Sequence, residues 1–315
     1  MTGPAAPTVA ICIATCRRPA GLFALLGAID GQCFEGAVPG VRVVVVDNDA
    51  EGSARAICEE ARSWLRWSLT YVHEKRPGIP AARNACVAAS WSADWIAFID
   101  DDEIPESGWL EALLRSQRIH SADVVAGPVV PRFQVDPPAW IAAGGFHEHE
   151  GYDPGARSAR TGNLLVRTAS LARLSSLFDE RMSPVGEDRE LFERLAASGG
   201  HIVWSAEARV VEEVPPERAT LRWVLRRGFR VGVASTRIAW IRRSRWRAAP
   251  RALAHGLWCL GRGAVEAALT PLRGVARGVL GLRLAAFGLG RWAGLLAASR
   301  GEVPQRNQGP GIPSA

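Results

Sequence analysis

The first two-thirds of the chain alternates short apolar runs with amphipathic stretches. Val9-Ala10-Ile11-Cys12-Ile13-Ala14-Thr15, Val41 to Asp47, Leu69 to Glu74 and Trp95 to Asp100 predict four strands. Asp123 to Val130, Thr161 to Val166 and His201 to Val211 predict three more. Helical spacing covers Pro19 to Ile29, Gly52 to Trp64, Ile79 to Trp91, Glu106 to His120 and Glu187 to Ser198. Runs as apolar as Val43-Val44-Val45-Val46 suit strands covered on both faces. Their alternation with helices predicts right-handed crossovers and an α/β fold with a mostly parallel sheet. Residues 132–160 show no period, and a loop of that length inside a domain is functional or mobile.

Composition sharpens this. The chain has 315 residues, 48% of them hydrophobic, enough for a large core and against wholesale disorder. The net charge of +6 conceals a split. Residues 1–217 carry 30 acidic and 20 basic side chains, whereas residues 218–315 carry 2 and 18. The expected organisation is a catalytic domain over 1–232, a basic amphipathic helical extension over 233–300 and a disordered tail over 301–315. Arginines interrupt every apolar run in the extension, so none reaches the roughly 18–20 uncharged residues of a membrane span. Basic helices bearing Trp and Leu suit an anionic bilayer surface; packing on the chain's own domain is the alternative. The six cysteines form no CxxC pair or zinc spacing and read as reduced thiols. Residues 1–7 lack the features of a secretory signal, which favours a cytoplasmic location.

The strongest chemical signal is Asp100-Asp101-Asp102-Glu103, directly after Trp95-Ile96-Ala97-Phe98-Ile99. Four adjacent carboxylates repel, and burial raises their pKa values. Water or a cation must offset them, and hard oxygen ligands suit Mg²⁺ or Mn²⁺. An acidic loop in solvent is the plain alternative. The place of the run, at the carboxyl end of a central strand where open α/β sheets bind ligands, favours the functional reading.

Several motifs accompany it in order: Ala14-Thr15-Cys16-Arg17-Arg18-Pro19, Val46-Asp47-Asn48-Asp49, Gly78-Ile79-Pro80-Ala81-Ala82-Arg83-Asn84, Thr161-Gly162-Asn163, Gly186-Glu187-Asp188 and Val214-Pro215-Pro216-Glu217-Arg218. Together they resemble the inverting family 2 glycosyltransferases with the GT-A fold, in particular bacterial exopolysaccharide enzymes of the succinoglycan type. The resemblance covers about residues 8–232.

It implies a metal-dependent hexosyltransferase using a nucleotide sugar, with UDP-glucose favoured. It implies that Thr15 and Arg17 border the base and ribose, that Asp47 holds the base, and that Gly78, Arg83 and Asn84 belong to the nucleotide site. Asp100 and Asp101 would contact ribose, sugar or metal water, with Asp102 ligating the cation. Asp188 would be the general base. From the residues alone, Asp47 also suits a helix cap or turn, Arg83 an ion pair, and Glu187-Asp188 a helix N-terminus. The family's late metal-binding His is missing near Val211-Glu212-Glu213, leaving Glu212, Glu213 or no third ligand. His147-Glu148-His149-Glu150 suits an acceptor loop better than a metal site. The implied acceptor is a lipid-linked saccharide at the inner membrane face, where the enzyme would sit peripherally. A nucleic-acid binder was the first rival, but no nucleic-acid motif accompanies the arginines, so no nucleic-acid partner is expected. A nucleotide-sugar pyrophosphorylase was the second; the first loop lacks its glycines.

Overall fold

The computed structural model describes residues 6–148, 159–182, 185–242 and 245–300. The elements in chain order begin with β1 (Thr8–Thr15), α1 (Pro19–Asp30), β2 (Gly40–Asp47), α2 (Arg55–Ala61), β3 (Ser68–His73), α3 (Ile79–Ser90) and β4 (Trp95–Ile99). Next come β5 (Glu103–Pro105), α4 (Trp109–His120), β6 (Val124–Ala126), β7 (Val129–Phe133), α5 (Ala139–Gly144), β8 (Asn163–Arg167) and α6 (Thr168–Leu171). Then follow α7 (Glu187–Ala197), β9 (Ile202–Trp204), β10 (Val210–Val214), α8 (Leu221–Arg242), α9 (Arg245–Ala268), α10 (Thr270–Arg273) and α11 (Val275–Ser299).

Seven strands form the main sheet in the order β3-β2-β1-β4-β8-β6-β9. β1, β2, β3 and β4 are mutually parallel, whereas β8 runs antiparallel to β4 and β6. Strand residues alternate between two cores, as a period of two demands. Ile11, Ile13, Val43 and Val45 pack with α1 and α4 residues such as Leu22, Leu26 and Trp109. Cys12, Val44, Val46, Ile96 and Phe98 pack on the other face with Ala82 and Cys86 of α3 and with Leu191 and Phe192 of α7. The chain winds outward from β1 to β3 and then returns to the opposite side of β1 with β4. The ends of β1 and β4 therefore flank a topological switch point, the place where such sheets leave a crevice.

The two late strands expected as single runs are each broken in two. Residues 123–130 divide into β6 and β7, and residues 201–211 into β9 and β10. The second member of each pair leaves the main sheet for a three-stranded sheet ordered β5-β10-β7. Gly127 marks the crossing: a Cβ there would lie 2.2 Å from the Ala208 carbonyl oxygen. Asn163 ties the crossing together. Its amide nitrogen donates to the carbonyls of Pro128 at 2.9 Å and Ala208 at 2.6 Å, and its oxygen accepts from the Trp109 indole at 2.7 Å. The small sheet sets β10 beside the acidic turn, with Glu212 opposite Glu103.

Helix α8 runs unbroken across residue 232. It packs against α11, which in turn packs against α9. Glycines let the backbones approach: a Cβ on Gly232 would lie 2.1 Å from the Phe287 carbonyl, and one on Gly290 2.0 Å from that of Phe229. Although Arg277, Arg283 and Arg291 interrupt it, α11, 25 residues long with an 18-residue window of mean hydropathy 1.3, is long and apolar enough to cross a membrane. Here it lies between two other helices.

Candidate active site

Two acidic points, far apart in sequence, meet through one buried guanidinium. Arg83, in the second turn of α3, is 6% exposed. Its Nη2 donates to Asp100 Oδ1 at 3.1 Å, and its Nη1 donates to Glu187 Oε1. The first partner follows β4, and the second opens α7. The bridge brings Asp188 to the cavity that holds the acidic run. That cavity, of about 520 Å³, is lined by Thr15, Arg83, Asp100, Asp101, Asp102 and Asp188, among others.

The carboxylates after β4 are not alone. Thr15 Oγ1 donates to Asp101 Oδ2 at 2.7 Å. Arg18 reaches both Asp101 and Asp102 at 2.8 Å. Arg218 spans Asp102 at 3.3 Å and Glu212 at 2.6 Å. Glu103 is buried, and its Oε2 accepts from the Asp100 amide at 3.1 Å. Gly162 makes room for that carboxylate, since a Cβ there would lie 2.5 Å from Glu103 Oε1. Burial raises Asp100, Asp101 and Glu103 above the usual carboxylate range, with neighbouring acids adding to it. Glu212 is raised by burial and by Asp102.

Among the described residues, no group of three or more His, Cys, Asp or Glu side chains is arranged to hold a metal. The donor set nevertheless fits a hard cation that takes most of its ligands from elsewhere. Mg²⁺ commonly uses one or two protein carboxylates and completes its shell with phosphate and water. Asp102 lines the cavity with its carboxylate a quarter exposed and pairs there with Arg18 and Arg218. Of the two candidate third ligands, Glu212 lines the cavity, whereas Glu213 pairs with Arg132. Adjacent strand residues face opposite ways.

Other expected site residues sit elsewhere. Asp47 is fully buried; it accepts from the amides of Asp49 and Ala54 and from Tyr71 Oη. It shapes the loop after β2 and does not line the cavity. Asn84 is turned away, exchanging two 2.9 Å bonds with the backbone of Phe178. Gly78, at φ 117°, starts α3, and its amide donates to Asn48 Oδ1 at 2.9 Å. Arg17 is exposed and pairs with Asp49 at 2.9 Å. Its neighbour Arg18 is the one that meets the acidic run. Arg18 and Arg218 lie in quoted motifs, but their sequence context carries no signal that they turn toward the acidic run. His147 is buried, stacks on Trp223 at 4.6 Å, and is pushed down to about 4 by burial. It is a packing residue; His149 and Glu150 lie outside the described residues.

The chain matches the family model Glycosyl transferase family 2 over residues 10–176. It belongs to that family. It is 38% identical over 201 residues to the succinoglycan biosynthesis protein ExoM of Rhizobium meliloti, covering 63% of this chain and 65% of that protein. It is 28% identical over 250 residues to the pre-mycofactocin glycosyltransferase of Mycobacterium tuberculosis, 74% of this chain and 48% of the relative. The matches thus span about half to two-thirds of those relatives. Two solved structures share the fold. The mannosyltransferase PcManGT of Pyrobaculum calidifontis, in complex with GDP-Man and Mn²⁺, is 19% identical, with TM-score 0.60 over 92% of this chain and 87% of that one. S. aureus TarS 1–349, in complex with UDP, is 16% identical, with TM-score 0.52 over 96% and 95%. The expected GT-A architecture is present, with a sheet more mixed than the sequence pattern suggested.

Glu187 gives the bridge a pH dependence. It is 3% exposed, and its Oε2 has no hydrogen-bond partner among the described residues. Burial pushes it up to about 7; Arg83 pulls the other way, and Asp188 adds to the rise. A raised carboxyl favours the folded state in its protonated form. Its contribution is complete below the unfolded value of about 4.5 and is lost as pH rises through about 7. Arg83→Met would leave Glu187 and Asp100 without their cation. We expect a loss of about 3–5 kcal/mol at pH 8.5 and a clearly smaller loss at pH 5.5, where Glu187 is neutral. Urea denaturation at both pH values measures this; equal losses would contradict it.

Proposed function

We propose that this protein transfers a hexose from a nucleotide sugar to a saccharide acceptor, with inversion at the anomeric carbon and with a divalent cation, Mg²⁺ or Mn²⁺. The observation that carries the reading is the Arg83 bridge, which sets Asp102 and Asp188 on one cavity. Asp102 would hold the cation beside the donor diphosphate, with Asp100 and Glu212 flanking it. When bound, such a cation stabilises the charge left on the departing nucleotide. Asp188 accepts the proton of the attacking hydroxyl, a contribution of roughly 10²–10⁴ in rate. Attack from the face opposite the leaving group inverts the centre. Thr15, Arg18 and the turn at Gly78 border the nucleotide end, while Asp47 and Asn84 support it from behind. UDP-glucose is the favoured donor, in line with the resemblance to succinoglycan-type enzymes. The name of the 38% identical relative supports a role in exopolysaccharide synthesis.

A screen of UDP-, GDP- and dTDP-sugars for hydrolysis with Mn²⁺ or Mg²⁺ tests the donor. We expect turnover with a UDP-hexose and a loss of Mn²⁺–UDP affinity of at least about tenfold in Asp102→Asn. Metal-independent turnover, or unchanged affinity in that variant, would refute the metal assignment.

The acceptor we propose is a lipid-linked saccharide, met at the inner face of the cell membrane. The helical layer supports a peripheral seat there. Trp246 is 76% exposed, Leu257 64% and Trp258 59% on α9, and α11 exposes Val275, Leu282, Leu289 and Leu296 at intervals of seven residues. Removing residues 240–315 would also remove Arg283 and the packing of α11 on α8, so point substitutions are the cleaner probe. Leu257→Glu/Trp258→Glu should weaken binding to phosphatidylglycerol vesicles, read by sedimentation, by at least about a hundredfold, each large apolar side chain contributing roughly 1.5–3 kcal/mol when buried. Undiminished sedimentation would move the contact to another surface.

A further inference from the structure

Behind Asp188 lies a second cavity, of about 660 Å³, far more basic than the first, whose described lining balances its carboxylates with arginines. Six arginines line it (Arg160, Arg189, Arg226, Arg227, Arg230 and Arg283) against two carboxylates, Glu148 and Asp188. Its remaining wall is largely apolar, including Phe146, Trp223 and Ile238. In the first cavity, Arg18, Arg83 and Arg218 each sit on carboxylates. In the second, Arg189 pairs with Glu193, but among the described residues no ion pair joins Arg226, Arg230 or Arg283 to a carboxylate.

Such crowding of like charge is costly. Arg283 is held below its usual value by burial and then by Arg160, and Arg227 is brought down to about 10 by the same two causes. Helix α8 presents Arg226 and Arg230 one turn apart, and α11 delivers Arg283 from 53 residues further along. The arrangement leaves a positive field that an anion relieves, and guanidinium forks match phosphate and carboxylate oxygens.

We infer that this cavity binds an anionic group, a phosphate, diphosphate or carboxylate, carried by the acceptor within one or two sugar units of the hydroxyl presented to Asp188. This deepens the proposed glycosyl transfer and rests on it for the word acceptor; the anion site itself does not. Of these two cavities, Arg226 and Arg283 line the second and not the first, whereas Arg160, Arg227 and Arg230 border both; Arg283 also borders a third cavity, with Arg262 and Arg277. The first two therefore separate acceptor binding from donor binding. Arg283→Gln retains most of the stem that packs against Gly228, and Arg226 is exposed.

The test is calorimetric titration of the full chain with inorganic pyrophosphate, glucuronate and glucose. It is done on metal-free protein without a chelator, which would itself be a competing anion; binding in the first cavity is told apart because it survives loss of Arg226 and Arg283. Pyrophosphate or glucuronate should bind, glucose should not, and Arg226→Gln/Arg283→Gln should weaken the anion by at least about tenfold. The tighter of the two anions identifies the group. Equal affinity in the wild type and the double variant, or no anion binding at millimolar concentration, would overturn the assignment. Thermal unfolding and Mn²⁺–UDP affinity of the same variant provide the controls, and both should be unchanged. A wild type that binds pyrophosphate but not Mn²⁺–UDP would sink the donor reading while leaving the anion site standing.

Discussion

A single buried guanidinium organises the chemistry of this molecule. Arg83 comes from the helix between β3 and β4, Asp100 from the end of β4, and Glu187 from a helix some hundred positions later. Burying one such charge is expensive unless it is paired, and the partners must then be held in place. Pairing fixes the start of α7 against the tip of the sheet. Asp188 follows Glu187 and has no freedom to leave the cavity mouth without breaking that contact. The distance between a carboxylate suited to a cation and one suited to a proton is thereby set by folding.

Charge is distributed unevenly over the site. On the side of the sheet, carboxylates are matched by arginines such as Arg18, Arg83 and Arg218, and burial raises Asp100, Asp101 and Glu103. On the side of α8 and α11, arginines dominate. Asp188 stands at the boundary and lines both cavities. In the proposed transfer, a leaving group that gathers negative charge and an incoming group that loses a proton would make different electrostatic demands on the two cavities. Helices α8 and α11 therefore line the second cavity. Arg227 and Arg230 reach it from α8, and glycine contacts hold α11 close enough to bring Arg283.

The early part of the fold was legible because its strands are uninterrupted apolar runs and α1 and α3 begin beside Pro or Gly. The broken strands were not. Asp123 to Val130 reads as continuous β, and only the Ala208 backbone pressing on Gly127, with Asn163 bonded across the gap, shows why the chain changes sheets there. Local pattern also cannot tell which of two adjacent arginines turns inward: Arg17, at φ 57°, goes to Asp49, and Arg18 goes to the acidic run. Asp47 and Asn84 stand in the quoted motifs, yet their hydrogen bonds hold loops. Motifs record what a site needs, including its scaffolding, without saying which member touches the ligand. The acidic run itself was readable because four carboxylates after a buried strand have few physical explanations.

The claim most exposed to test is that Asp188 removes the acceptor proton in a cavity that Arg83 holds closed. Single-turnover transfer by Asp188→Asn, with the donor and Mn²⁺ prebound, measures it directly. The account predicts donor and metal affinity within about twofold of wild type and a transfer rate lower by roughly 10²–10⁴. Transfer at the unaltered rate with intact donor binding would contradict it.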